Sequence, residues 1–170
     1  MDLNTLANLA EIIGVFTILG GLWFALVQLM SIRGQRRDMA AIEVARAFQN
    51  PEFARALLLV LSLPSGIRAE ELRKLDERYE EAAMLVSLTL ESVGLMVHQR
   101  MVSLNMVWEL MGGVILSISD KLDGWIEDVR REQAREKFNE WIQWLVTQLI
   151  KYEKDMGPEP AFLRYQDWQP

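Results

Sequence analysis

From Ile12 to Met30 the chain reads IIGVFTILGGLWFALVQLM, nineteen residues without a charge and with only Thr17 and Gln28 polar. At 1.5 Å per residue such a helix is about 28 Å long, close to the hydrocarbon thickness of a bilayer. It is apolar on every side, where a helix on a soluble core would keep a polar face. A helix also satisfies its own backbone hydrogen bonds inside lipid. The pattern predicts a transmembrane anchor over residues 1–32. A cleaved signal peptide would need basic residues before the apolar run, and here Asp2 and Glu11 precede it while Arg33, Arg36 and Arg37 follow.

After the arginines the pattern becomes amphipathic. Residues 33–50 predict a basic juxtamembrane stalk helix with Met39, Ile42, Ala45 and Phe48 or Gln49 on one side. Asn50-Pro51 is a restart, with Asn as N-cap and Pro in the first turn. A helix over 51–63 then stops at Pro64-Ser65-Gly66. The next run starts near Arg68 with Leu72, Leu75, Tyr79, Ala82 or Ala83 and Val86 in helical period, reaching about residue 101. Further helices are expected over about 104–119 and 124–156. No stretch alternates strictly enough for a strand, so the expected fold is all-α: one N-terminal transmembrane helix followed by a cytoplasmic helical bundle over 51–156, then an aromatic tail over 157–170.

Three other apolar runs, 82–97, 104–118 and 141–150, are short. Glu91 and Glu109 interrupt the first two. A carboxylate at mid-bilayer costs about 2.5–3.5 kcal/mol on the insertion scale, so these read as core helices, with a half-embedded helix the alternative for 141–150. In the tail, Gly157 and two prolines stop the preceding helix, and Phe162, Tyr165 and Trp168 recur at spacing three. Three aromatics predict docking, on the chain's own domain or on a neighbouring subunit.

Composition narrows the chemistry. With 51% hydrophobic and 25% charged residues the chain has the apolar content for a core, and 170 residues allow one compact domain. There is no cysteine and one histidine, His98, which removes disulfides, thiolate sites and His-rich metal clusters; no cofactor is expected. The chain carries 18 Lys and Arg against 24 Asp and Glu. Three basic and two acidic residues precede Asp38, leaving 15 against 22 from Asp38 onward. An acidic domain behind a basic collar turns away from anionic lipid, and nucleic acid is not expected as the main ligand. The collar arginines Arg33, Arg36 and Arg37 also orient the span, N-terminus outside and C-terminal domain cytoplasmic.

Within the anchor, Ala10, Gly14, Thr17, Gly21, Ala25 and Gln28 fall on one helical face. Small residues on one face of a membrane helix allow close approach of neighbouring backbones, which predicts self-association. Around an axis, Thr17 and Gln28 would become pore-lining groups.

In the helix before residue 101, Ser87, Glu91, Gly94 and His98 share a face. A carboxylate and an imidazole there are candidates for acid–base catalysis or half a metal site. The competing reading pairs Glu91 with Arg130 or Arg131 inside the bundle and leaves His98 near a helix end. No GxxxxGK[ST], GxGxxG or GxSxG motif is present, and no arginine stands four to six residues before His98 as in helical ribonucleases. Trp108, Trp125, Trp141 and Trp144 read as core and interface anchors, with Trp141 and Trp144 joining the tail aromatics as a candidate protein interface. The mixed charges of 127–140 read as a solvated face with Val129, Ala134 and Phe138 turned inward.

Tyr79, Ala82-Ala83, Glu91 and Gly94-Leu95, then Val102 and Trp108-Glu109-Leu110, then Arg130, Phe138 and Trp144-Leu145, carry a resemblance over most of 75–150. The chain resembles a family of uncharacterised bacterial proteins with one N-terminal membrane helix and a helical cytoplasmic domain. That resemblance implies a tethered domain in a bacterial inner membrane and transfers no catalytic residues. In layout alone it is also similar to membrane accessory proteins of RNA-targeting CRISPR systems, which form rings around a pore. The expectation is a homo-oligomeric scaffold or pore-like complex in contact with lipid. The alternatives are an accessory subunit binding another membrane protein through its Trp-rich helix and tail, and an anchored enzyme using Glu91 and His98.

Overall fold

The structure, a computed structural model, describes residues 3–157 and 160–169, and of residues 3–10, 12 and 31–38 the backbone only. Its helices are α1 (Leu3–Gln49), α2 (Pro51–Leu61), α3 (Ala69–Arg73), α4 (Arg78–His98), α5 (Leu104–Gln133), α6 (Glu140–Met156) and α7 (Ala161–Arg164). Among the described residues there is no strand, so the fold is all-helical. The chain forms two compact units, Met1–Met39 and Ala40–Pro170.

The first unit is the body of α1. Its Ile13–Met30 stretch is long and apolar enough to cross a membrane, and none of it is buried within the protein.

In the second unit the last turns of α1 lead through Asn50 into α2. The Asn50 side chain accepts from the Glu52 amide at 2.8 Å, and Pro51 takes the first position, where a missing N–H costs nothing. The face turned inward at the α1 end is offset from that one-sided stripe. Ala40 and Val44 are buried, while Met39 and Ile42 are exposed. Phe48 sets the register, with its ring 5.7 Å from that of Phe53, and four-residue steps back from it reach Val44 and Ala40.

Helix α4 is the centre of this unit, with α2 and α6 packed chiefly on it. It too is long and apolar enough to span a bilayer, but 44% of it is buried, including Ala83, Val86 and Leu90, so it is a core helix here. Helices α5 and α6 run antiparallel: the Tyr152 hydroxyl donates to Asn105 at 2.6 Å at one end, and Arg130 Nε donates to the Phe138 carbonyl at 2.7 Å at the other. Trp125 lies near that second end, fully buried, with its ring 5.7 Å from that of Phe138.

Three helix boundaries depart from the sequence pattern. Residues 119–124 are helical, so α5 is one helix from Leu104 to Gln133. The expected long helix over 124–156 is broken at 134–139, where Ala134 (φ 50°) and Asn139 (φ 58°) take left-handed conformations. Neither glycine nor proline marks that break, and Ala134 is exposed rather than turned inward. The run beginning near Arg68 divides into α3 and α4.

That division makes a strap across α5. The Gly66 and Ile67 amides donate to the Asp120 and Lys121 carbonyls at 2.8 and 3.1 Å. Gly66 lies at φ 66°, and a Cβ on Gly124 would press into the Gly66 carbonyl, so both positions require glycine. Farther along, the Asp128 carboxylate accepts from the Ala69 amide at 3.0 Å and pairs with Arg68, which also reaches Glu127 at 3.2 Å. The Ala69 amide and the Arg68 guanidinium hold the Asp128 carboxyl below its usual range. Arg73 pairs with both oxygens of Glu132, at 3.0 and 2.8 Å, and lowers it likewise.

Candidate functional site

The apolar stretch of α1 presents its sequence-predicted face without a cover. Gly14 and Gly21 have open space where a Cβ would stand. Thr17, Ala25 and Gln28 are exposed. Thr17 Oγ1 donates to the Ile13 carbonyl at 2.8 Å, so its hydroxyl is satisfied inside the helix, as a lipid setting requires. The backbone at Ala10, Arg33, Arg36 and Arg37 is helical, but these side chains lie outside the described residues.

The polar face of α4 meets α6. Glu91 Oε2 accepts from the Ile142 amide at 2.9 Å, in the first turn of α6, where helix amides have no intrahelical partner. The α6 N-cap, Asn139, makes no side-chain capping bond, so the cap comes from another helix. Glu91 is therefore not bound to an arginine: Arg130 holds the Phe138 carbonyl and Arg131 pairs with Asp128. One turn on, Gly94 lies against the backbone of Trp141, whose carbonyl would be 2.5 Å from a Cβ there. The exposed His98 ring lies 4.6 Å from that of Trp141 and 5.3 Å from that of Trp144. The Ser87–Glu91–Gly94–His98 face is a helix-packing seam, with its carboxylate committed to a helix end and its imidazole set against two indoles. Glu91 and His98 are seven residues apart, about 10 Å along the helix axis.

Ser87 Oγ, Arg130 Nη2 and Asn139 Nδ2 are buried with no hydrogen-bond partner among the described residues. No group of three or more His, Asp or Glu among them is placed to hold a metal.

The tail attaches through a charge. Arg164 donates to Glu109 of α5 at 3.2 Å, while Phe162 and Trp168 are 75% and 70% exposed and Tyr165 is exposed beside them. Helix α7 has only four residues, too few to bury one face against the bundle. Trp141 and Trp144 are half-buried, with ring centroids 6.2 Å apart.

One surface had no sequence signal. Between α2 and the first half of α4 runs a groove of about 690 Å³, floored by Ala56 and Ala82 and edged by Leu58 and Leu85. Its small floor residues are unremarkable in either helix alone; only pairing the two helices makes the hollow.

A family model described as a domain of unknown function, DUF4760, matches residues 15–149. The chain belongs to that family. The DUF4760 match begins inside the apolar stretch of α1 and ends at Leu149, a buried residue of α6. It therefore takes in most of that apolar stretch together with the bundle through the α4–α6 seam, and the aromatic tail lies beyond it. No curated protein matches the chain, and no solved structure does. Neither a bacterial origin nor a tie to CRISPR membrane proteins is among these findings.

Proposed function

We propose that this DUF4760 protein is a single-span membrane scaffold whose acidic helical domain assembles with copies of itself. The observation that carries the reading is the uncovered anchor: a dozen large apolar side chains between Ile13 and Met30 are exposed, among them Phe16, Trp23 and Phe24. At about 1.5–3 kcal/mol for each such side chain removed from water, leaving them in water would cost more than the whole stability of an ordinary domain. Lipid covers them, and the Gly14, Thr17, Gly21, Ala25 and Gln28 face takes a neighbouring anchor. Arg33, Arg36 and Arg37 lie on the cytoplasmic side of a bacterial inner membrane, against anionic head groups.

The test is the mass of the intact particle in native nanodiscs. A single symmetric oligomer supports the scaffold, and Gly14→Leu with Gly21→Leu disperses it. A monomer refutes self-assembly. Orientation is read by an impermeant maleimide on intact cells, which labels Asn4→Cys and leaves Glu136→Cys unlabelled until lysis. Leakage that stops in Gly21→Leu with expression unchanged would extend the scaffold to a pore.

The exposed Phe162, Tyr165 and Trp168 favour a second reading, an accessory subunit that holds another membrane protein through its tail and the Trp141–Trp144 helix. Deleting 157–170 would then release the partner and leave particle mass per copy otherwise unchanged.

A further inference from the structure

We infer that the α2–α4 groove is the contact between the helical domains of two copies of this chain, an inference that rests on the membrane-anchored self-assembly proposed above. An interface around a two-fold axis must carry both a projection and the hollow that receives it, because each copy supplies the same surface. The groove has both. Leu58 stands out from α2 at 70% exposure, and beside it the alanine floor of Ala56 and Ala82 leaves a hollow edged by Leu85.

Its charges are self-complementary as well. Arg55 lies on the α2 side and Glu81 on the α4 side of the same groove. Neither has an ion-pair partner among the described residues; the Arg55 Nε donates only to the Pro51 carbonyl of its own helix, at 3.2 Å. The third charge there, Arg78, is already held by Asp76 at 2.8 Å. When Leu58 of one copy sits between Ala82 and Leu85 of the other, Arg55, three residues before Leu58, comes to Glu81, next to Ala82. The two-fold makes that pairing twice. An acidic or a basic peptide would satisfy one of these charges and repel the other, so the groove fits a second copy.

Nine residues line the groove, fewer than the roughly 20–30 residues a side of a stable soluble interface. Two copies held in one membrane meet at high effective concentration, and a weak contact suffices there.

The chain has no native cysteine, which makes the experiment direct. Two differently tagged full-length copies, one Leu58→Cys and one Leu85→Cys, are reconstituted together in nanodiscs and oxidised. The expected result is a mixed disulfide dimer, with Glu136→Cys paired to Leu85→Cys as the unlinked control. Adding Arg55→Glu to the Leu58→Cys copy should cut the linked fraction at least threefold, and Glu81→Arg on the Leu85→Cys copy should then restore it. No mixed disulfide above the control, or linkage indifferent to Arg55→Glu, overturns the groove contact. Particle mass in the same nanodiscs separates the two ideas: an oligomer without linkage overturns the groove alone, and a monomer overturns self-assembly with it.

Discussion

Replacing Glu91 with alanine removes the acceptor that α4 supplies to the first turn of α6, the 2.9 Å bond from the Ile142 amide. A hydrogen bond to a charged group contributes about 1.5–3 kcal/mol net, and an anion at a helix N-terminus adds about 0.3–1 kcal/mol. The Asn139 side chain makes no capping bond that could substitute. The expected loss for Glu91→Ala is therefore about 2–4 kcal/mol, whereas Glu91→Gln keeps an acceptor oxygen without the charge and should lose about 1 kcal/mol. For a helical unit of this size, 1 kcal/mol moves the melting temperature by roughly 3–5 °C, giving about 6–20 °C for alanine and about 3–5 °C for glutamine. Thermal melts in nanodiscs, followed by circular dichroism at 222 nm and by tryptophan emission, read both, because Trp141 adjoins the bonded amide. A Glu91→Ala melt within about 1 °C of wild type refutes the cap, and so does glutamine falling as far as alanine.

Three further outcomes are expected. Gly94→Ala and Gly124→Ala each push a Cβ into a backbone carbonyl, of Trp141 and Gly66 respectively, and should cost about 1–3 kcal/mol in a denaturant titration; wild-type midpoints would show that the close approaches are slack. Ala134→Gly relieves a left-handed alanine and should raise stability by up to about 1 kcal/mol, with Ala134→Val lowering it; a destabilised glycine variant would contradict the strained break. On acidification, Asp128 and Glu132 are held low by the Ala69 amide and by Arg73, and Asp76 is held at about 2 by Arg78. Folded values below unfolded ones mean that their stabilisation is complete above the ordinary carboxylate range near pH 4 and fades as pH falls from there toward 2. Melting temperature should drop through that window, less steeply in Asp128→Asn, and less steeply in high salt because the Glu132 and Asp76 pairs are exposed; an equal drop in Asp128→Asn would contradict the assignment.

The acidic outcome shows how far linear patterns reach. Asp128 and Glu132 were visible within the mixed-charge face of 127–140, but their partners Arg68 and Arg73 stand 60 and 59 positions away in sequence. Glu91 was legible as a functional or structural carboxylate on a shared face with Gly94 and His98. Its partner was not, because a backbone amide of a distant helix leaves no mark on composition. The break at 134–139 escaped for a related reason: its left-handed residues are alanine and asparagine, held by Arg130 on the Phe138 carbonyl, without the glycine or proline that announces a stop.

What the sequence alone determined is what depends on neighbours along the chain. An uninterrupted apolar run makes a helix long enough to cross a bilayer, helical periodicity without alternation makes the fold all-α, and Asn50-Pro51 starts α2. The tertiary structure alone decided which of two apolar helices is covered by protein, which face of the α1 end turns inward, and where the α4 seam and the α2–α4 groove lie. Covering a side chain, completing a helix end and closing a hollow all require residues brought together from far apart in the chain. Those pairings follow from shape and hydrogen-bond geometry across helices, which no local window contains.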